Sequence, residues 1–292
     1  MDLTKEFIKS KRPCTDGFRW FLRHHHEGSD YQPLLDSLVA AGRVNDAIWL
    51  LNQFGPTDAV LAVDSIDADA IVFAGTLEVK GNIEVDTALC TGRGIRAGGG
   101  IHAGQSIACG DDIRVAGSVR SGGSMDVTGD VRAAWGIEVQ GILKTGGDLR
   151  CEWDLICEAD LTVTGAMHVG QDAIVKGSVQ CGKGIRIGGS INSLGGIRAE
   201  QGIEAGEDIR SISHLETKWG IRAGRNILTD GAIKAGESVL AGEEIQVGDG
   251  YGIYAGLMVH IEDWKTSAQV KAANKPNRLM SGWWAGKPGD RL

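Results

Sequence analysis

Residues 94–113 read GIRAGGGIHAGQSIACGDDI, in which an isoleucine recurs at every sixth position. Stepping by six from Ile71 to Ile245 gives 30 positions, of which 29 carry a large apolar residue and one carries Ala173. An α-helix repeats its faces every 3.6 residues and does not produce a period of six. The repeat therefore predicts a long array of short, similar structural units.

A second inward-facing residue follows two positions after each apolar residue. It is small or β-branched, as in Val85, Ala97 and Cys109, and positions i and i+2 lie on one side of a strand. Glycine often comes next, as at Gly98 and Gly224, and we attribute it to the backbone angles that a corner needs. Strands alternating with corners predict a β-solenoid.

Outward-facing residues indicate how many strands make one coil. The pattern Asp-x-Arg recurs at 112–114, 130–132 and 148–150, so that three hexapeptides separate each occurrence from the next. At this period one column contains Arg96, Arg114, Arg132, Arg150, His168, Arg186 and Arg222, and Glu204 interrupts it. We predict a mainly β fold, a three-faced parallel β-helix with about 18 residues per coil. The crossover preference of parallel strands favours the right-handed form.

Both ends lack the six-residue period. Residues 1–64 predict an α-helical N-terminal cap over the first coil, with helices over 16–26, 30–41 and 45–53. Residues 65–260 form the predicted solenoid. Residues 261–292 contain Pro276, Pro288 and three tryptophans, and we expect a C-terminal cap or tail that does not continue the rod.

Composition restricts the possible partners and compartment. The formal net charge of −8 argues against a general nucleic-acid binder. The N-terminus lacks the apolar run of a signal peptide, and the sequence contains no membrane-spanning segment, which predicts a cytoplasmic protein. None of the six cysteines forms a CxxC pair, and Cys109, Cys151, Cys157 and Cys181 are predicted to be buried free thiols.

Two groups of outward residues are candidates for binding a partner protein. The first group is Arg114, Arg132 and Arg150, for which the alternative is a surface ladder neutralised by Asp112, Asp130 and Asp148. The second group is Trp135, Trp153 and Trp219, since exposed tryptophan is enriched in interfaces. Trp135 and Trp153 lie three hexapeptides apart and should stack, whereas Trp219 lies off their column. Packing against a cap or a corner is the alternative for all three.

The sequence predicts neither a catalytic site nor a cofactor. The six-residue period has no insertion between Ile71 and Ile245, so no loop is available to form a lid. Three consecutive histidines, His24 to His26, point in different directions on a helix and predict a solvated helix end rather than a metal site. Each glycine-rich stretch is followed by a strand, whereas a dinucleotide-binding loop needs a helix.

The runs at 94–113, 196–209 and 220–245 resemble the GI[RK]AG-type solenoid repeats of bacterial and phage proteins. They are similar, more loosely, to bactofilins, and this resemblance implies a right-handed three-faced β-helix and end-to-end polymerisation. The capped ends of this chain differ from the open coil ends of bactofilins. The N-terminal CTDGFRWF…AIWLL stretch resembles leader segments of bacterial proteins.

These observations predict a non-catalytic protein-binding solenoid. Within that class we expect an immunity-type inhibitor that occludes a bacterial toxin, because an acidic inhibitor suits a basic active site. The alternative is a bactofilin-like structural polymer, and an acyltransferase-like enzyme is a third hypothesis. The predicted caps favour a monomer or small oligomer over a filament.

Overall fold

The computed structural model describes residues 2–25 and 28–287. Three parallel sheets of 11, 12 and 13 strands form a three-faced β-solenoid of about 12 turns, with about 18 residues per turn. A short helical region precedes the solenoid. The predicted fold class is therefore confirmed.

Each face of the solenoid is one parallel sheet, and neighbouring strands in the central coils pair three hexapeptides apart, as Ile113 does with Val131. Face 1 contains Val60–Val63, Thr76–Val79, Ile95–Ala97, Ile113–Val115, Val131–Ala133, Leu149–Cys151, Met167–Val169, Ile185–Ile187, Ile203–Ala205, Ile221–Ala223, Val239–Ala241, Gln269–Lys271 and Trp283–Trp284. Face 2 contains Ile66–Ala68, Ile83–Val85, Ile101–Ala103, Val119–Ser121, Ile137–Val139, Leu155–Cys157, Ala173–Val175, Ile191–Ser193, Ile209–Ser211, Ile227–Thr229 and Ile245–Val247. Face 3 contains Ile71–Phe73, Ala88–Thr91, Ser106–Cys109, Met125–Val127, Leu143–Thr145, Leu161–Val163, Val179–Cys181, Ile197–Ala199, Leu215–Thr217, Ile233–Ala235, Ile253–Tyr254 and Leu279–Ser281.

The inward residues of all three faces form one continuous core. In the strand Ile113–Val115, the first and last residues are buried and Arg114 between them is exposed. Most central strands repeat this pattern. Each fully buried aliphatic side chain stabilises the fold by about 1.5–3 kcal/mol. The four inward cysteines, Cys109, Cys151, Cys157 and Cys181, are buried free thiols, as predicted.

The solenoid begins before the expected boundary at position 65. Val60 pairs with Thr76 and Ile66 with Ile83, so the first coil is shorter than a central coil, in which Ile113 pairs with Val131. Stepping backwards by six from Ile71 therefore misses both strands. The shortened coil hid the strand Val60–Val63 from the periodicity argument.

The C-terminal segment also continues the solenoid, and the expectation that it would not was wrong. Val239 pairs with Val270, although more than three hexapeptides separate them, and Ile253 pairs with Leu279. The chain leaves the sheets after Tyr254, forms a 3₁₀ turn and a short helix, and then re-enters face 1. This excursion breaks the six-residue period while the strand pairing continues.

Four helices form the N-terminal unit: α1 (Lys5–Ser10), α2 (Thr15–His24), α3 (Tyr31–Ala40) and α4 (Val44–Phe54). Three of them match the predicted helices to within two residues at each end, and α1 was not predicted. His26, in the predicted histidine run, lies outside the described residues. A two-stranded antiparallel sheet, Asp2–Leu3 with Ser29–Asp30, joins the two halves of the unit.

The helical unit lies against the side of face 3 as well as at its first edge. Its buried cluster includes Val72 and Cys90, which are the outward residues of the first two strands of face 3. At the edge, the side-chain amide of Gln32 on α3 bonds to the backbone of Val72 and Ala74. The unit therefore covers the first edge of face 3 through Gln32 on α3 and also packs on the outward side of that face.

The repeat glycines serve a different purpose from the one expected. Between residues 75 and 248 no glycine has a φ angle in the left-handed range, so the corners do not depend on that conformation. Instead, a Cβ atom at Gly98 or Gly224 would overlap the carbonyl oxygen of the equivalent residue one coil earlier, Lys80 or Gly206. Glycine permits the close approach of successive coils.

Candidate functional site

The predicted arginine column is present on face 1. Arg114, Arg132 and Arg150 pair in register across consecutive strands. Arg114 bonds to Asp112 at 2.8 Å and Arg132 to Asp130 at 3.0 Å, but Arg150 bonds to Glu152 at 2.8 Å rather than to Asp148. Every one of these three arginines has a carboxylate partner, so the column is a neutralised ladder.

The carboxylate of Asp148 is bound by residues from the following coils. Its Oδ1 atom accepts a hydrogen bond from the amide of Ala166 at 2.8 Å and lies 3.4 Å from Lys183 Nζ. The hydrogen bond from Ala166 is the main cause that lowers the pKa of Asp148. Asp112 is similar, since the amide of Asp130 donates to it and lowers its pKa. These aspartates therefore connect successive coils at the corner between faces 3 and 1.

The structure brings Trp135 and Trp153 together at the corner between faces 1 and 2. Their ring centroids are 5.9 Å apart with an interplanar angle of 18°, which confirms the predicted stack. The exposed fractions are 55% and 54%, so both indoles present about half of their surface to solvent. Trp219 is 52% exposed but lies at the corner between faces 3 and 1, away from the pair.

Sequence reasoning missed four apolar residues that extend this surface across face 2. Ile156 and Ile174 are outward neighbours in adjacent strands of face 2. Leu194 and Ile212 lie at the next corner, between faces 2 and 3, and both are more than half exposed. We call the six residues the apolar stripe: Trp135, Trp153, Ile156, Ile174, Leu194 and Ile212.

The coil period already contained the signal for these residues. Ile156 and Ile174 are one coil apart at the outward position between two inward residues, and Leu194 and Ile212 are one coil apart at the position after a strand. Reading the outward columns for apolar residues would have found both pairs. Tryptophan alone drew attention because an exposed indole is conspicuous in a sequence.

In the central coils, exposed large apolar residues are concentrated on one side of the solenoid. Between residues 77 and 247 seven large apolar side chains are exposed, and six of them lie on face 2 or at its two corners. Five of those six belong to the apolar stripe, and Ile142 is the sixth. The corresponding outward positions of faces 1 and 3 over the same coils are mostly charged or polar.

The surroundings of the stripe are acidic. The segments of face 2 and its corners that carry it, 134–142, 152–160, 170–178, 188–196 and 206–214, contain eight acidic and two basic residues. Ion pairs with four basic residues neutralise half of these carboxylates; the basic residues are Arg120, Arg150, Lys176 and Arg210. The other four form no ion pair within the described part of the chain: Asp154, Asp160, Asp172 and Glu207.

The N-terminal unit contains a separate cavity of about 170 Å³, whose mostly apolar lining includes Phe18, Phe21, Leu34 and Leu50. Among residues 2–25 and 28–287, no group of three or more His, Cys, Asp or Glu side chains is placed to hold a metal ion. No helix in the described ranges is long and apolar enough to cross a membrane.

Burial makes the interior thiols poor nucleophiles. It raises the pKa of Cys90 to about 11 and that of Cys151 to about 12. Cys14 differs, because it lies exposed at the N-terminus of α2, where the Gly17 amide donates to its sulfur at 3.2 Å.

Comparison with known proteins covers the helical unit alone. Residues 1–54 match the family model of the YdhT N-terminal domain. This range includes all four helices, and the match ends at residue 54, before the first strand of the solenoid, Val60–Val63. No curated protein and no solved structure gave a significant match to the chain. The likeness to the YdhT N-terminal domain is therefore a likeness of the helical unit and does not extend to the solenoid.

Proposed function

We propose that this chain is a non-catalytic protein-binding solenoid that uses face 2. The observation that carries the proposal is the one-sided distribution of exposed large apolar residues in the central coils: of the seven between residues 77 and 247, six lie on face 2 or its corners. Contiguous apolar surface with a polar margin is typical of protein-interaction sites. The tryptophan pair at one corner of the face and the isoleucine pair in its middle supply area that a partner would bury.

The geometry favours the tryptophan pair over the arginines as a binding feature. Arg114, Arg132 and Arg150 already have carboxylate partners, and a partner would have to replace those ion pairs. Trp135 and Trp153 stack on each other, and about half of each residue's surface stays exposed. Trp219 lies outside the surface that we assign to the partner.

An immunity-type inhibitor of a bacterial toxin is our narrower proposal within this class. Its support is the net charge of −8 and the acidic margin of the stripe, which would attract a basic active-site cleft. The chain would act by covering that cleft. A cytoplasmic location belongs to the same proposal.

The test compares the proteins captured by three forms of the full chain in its native host. The double variant Trp153→Ser/Ile174→Ser changes two exposed residues of the stripe, and Trp219→Ser is the matched control for loss of an exposed indole. We expect wild type and control to recover the same partner in the same amount, and the double variant to lose it. Equal recovery by all three forms would refute binding through face 2.

Head-to-tail polymerisation is a second candidate, and one observation favours it. The first strand of face 1, Val60–Val63, is an exposed edge strand in which Val60 is 56% exposed. At the other end of the described chain face 1 closes with Trp283–Trp284, so strands of two copies could pair in parallel. Light scattering and negative-stain images would show filaments if this candidate is right.

A further inference from the structure

The apolar stripe is built of three stacked pairs. Trp135 stacks on Trp153, Ile156 lies beside Ile174, and Leu194 is followed one coil later by Ile212. The first pair lies at one corner of face 2, the second in the middle of the face, and the third at the opposite corner. The stripe therefore crosses the face obliquely instead of following the solenoid axis.

The spacing of the pairs can be worked out from the repeat. The second pair is one coil below the first and three residues further along the chain, and the third is two coils below the second and two residues further. With about 4.8 Å per coil and about 3.3 Å per residue, neighbouring pairs lie about 10 to 12 Å apart. Seven residues of an α-helix span about 10.5 Å.

We infer that the stripe binds a basic amphipathic α-helix of the partner protein, laid obliquely across face 2. This inference rests on the proposed function and adds the chemistry of the partner. Apolar anchors at i, i+7 and i+14 of such a helix would meet the three pairs in turn. The four carboxylates without ion pairs lie on both sides of the stripe, at the two corners of face 2, and would meet lysine or arginine on the flanks of the helix.

A second copy of this chain fits the surface less well. In a symmetric dimer a twofold axis would lie in the plane between two stripes, and each acidic margin would face an acidic margin. Asp154 and Asp172 at one corner and Asp160 at the other would then lie against like charges. A helix with basic flanks avoids this repulsion and still buries the apolar pairs.

Three synthetic peptides of about 18 residues test the inference by fluorescence anisotropy with the full chain. The first carries leucine at heptad spacing and lysine elsewhere, the second replaces lysine by glutamate, and the third keeps the basic composition in scrambled order. We expect the first peptide to bind at least about tenfold more tightly than either of the others. Higher salt should reduce this preference over the acidic peptide.

Two variants locate the binding. Leu194→Ser/Ile212→Ser should weaken binding of the first peptide by about tenfold, because it removes one of three anchors. Trp219→Ser should leave the affinity unchanged. All three substituted residues are more than half exposed, so the variants should melt like wild type, and circular dichroism checks this.

Several results would overturn the inference. One is equal binding of the basic and acidic peptides, and another is equal binding of the scrambled peptide, which would indicate charge attraction alone. A wild-type dimer that Leu194→Ser/Ile212→Ser converts to monomer would assign the stripe to a second copy. If the capture experiment depends on the stripe while no basic preference is found, the proposed function stands and the helical partner is wrong.

Discussion

Replacing Gln32 by alanine should release the helical unit from the first edge of face 3. The Gln32 side chain donates from Nε2 to the carbonyl oxygen of Val72 at 3.0 Å, and its Oε1 accepts from the amide of Ala74 at 2.9 Å. One coil later, Gly92 stands at the position equivalent to Ala74, and its amide donates to the carbonyl oxygen of Phe73 in the coil before it. No strand precedes this edge of face 3 in the described residues, so Gln32 takes the place of one there, together with the amide of Thr57, which donates to the carbonyl oxygen of Ala74 at 2.8 Å.

The expected loss of stability follows from the two hydrogen bonds. Val72 and Ala74 are 3% and 1% exposed, so their backbone groups would stay buried without a partner. Each unsatisfied buried group costs about 1–3 kcal/mol, so the two groups together give a total of about 2–6 kcal/mol for Gln32→Ala. Urea unfolding followed by tryptophan fluorescence measures this, since Trp20 and Trp49 lie in the helical unit.

Asp36→Ala is the matched control. Its carboxylate accepts the other Nε2 hydrogen of Gln32 at 2.8 Å in an exposed position, and its removal should cost under about 1 kcal/mol. Gln32→Ala should also increase self-association in light scattering, because a bare strand edge can pair with another copy. Wild-type stability in Gln32→Ala, to within about 0.5 kcal/mol, would refute the idea that the Gln32 amide stabilises the first edge of face 3.

Three other predictions concern the coils and the thiols. In the native protein Ellman's reagent should titrate one thiol, Cys14, and all six after unfolding, because burial raises the pKa of the five others; faster labelling would show that the coils open. Because the folded state lowers the pKa of Asp148, its ionised carboxylate stabilises the fold at pH values above its unfolded-state pKa, and this contribution is lost as the pH falls through its folded-state pKa. The melting temperature should therefore drop in acid, and Asp148→Asn should reduce that drop. Gly224→Ala should destabilise the solenoid by about 1–3 kcal/mol in urea, whereas Gly184→Ala, whose Cβ would have ordinary contacts, should cost less; equal costs would remove the steric explanation.

The core of this fold could be predicted from the sequence because its period is fixed by geometry. Every third hexapeptide returns to the same face, so one inward residue such as Ile113 determines the positions of Ile95 and Val131. The stacking of Trp135 on Trp153 followed from the same interval. What a strict repeat specifies is register, and register decides which side chains become neighbours.

Side-chain partners were harder to predict, because register leaves several within reach. Arg150 has carboxylates on both sides in its own strand sequence, Asp148 and Glu152. The amide of Ala166 and Lys183 engage Asp148, and Arg150 turns to Glu152. The pairing of Arg150 with Glu152 therefore depends on residues one and two coils further along the chain, and the Asp-x-Arg motif does not include those residues.

The period also failed where the coil changes length. The strand Val60–Val63 lies in a shortened coil, and Gln269–Lys271 follows a long excursion, so a fixed step of six passes over both. In each case strand pairing continues because an exposed sheet edge offers a row of free hydrogen-bonding groups. Pairing requires those groups and tolerates any connection that reaches them.

Inward and outward residues of a solenoid are under different physical constraints, and this separation supports a binding role for face 2. Packing restricts the inward positions, so an apolar residue there indicates only the core. An outward apolar residue gains nothing from the core and exposes surface that water disfavours. Three such pairs along one face, held by the same sheet that positions the core, form a rigid surface. A partner that binds there would lose little free energy in ordering the solenoid, so most of the area it buries would contribute to affinity.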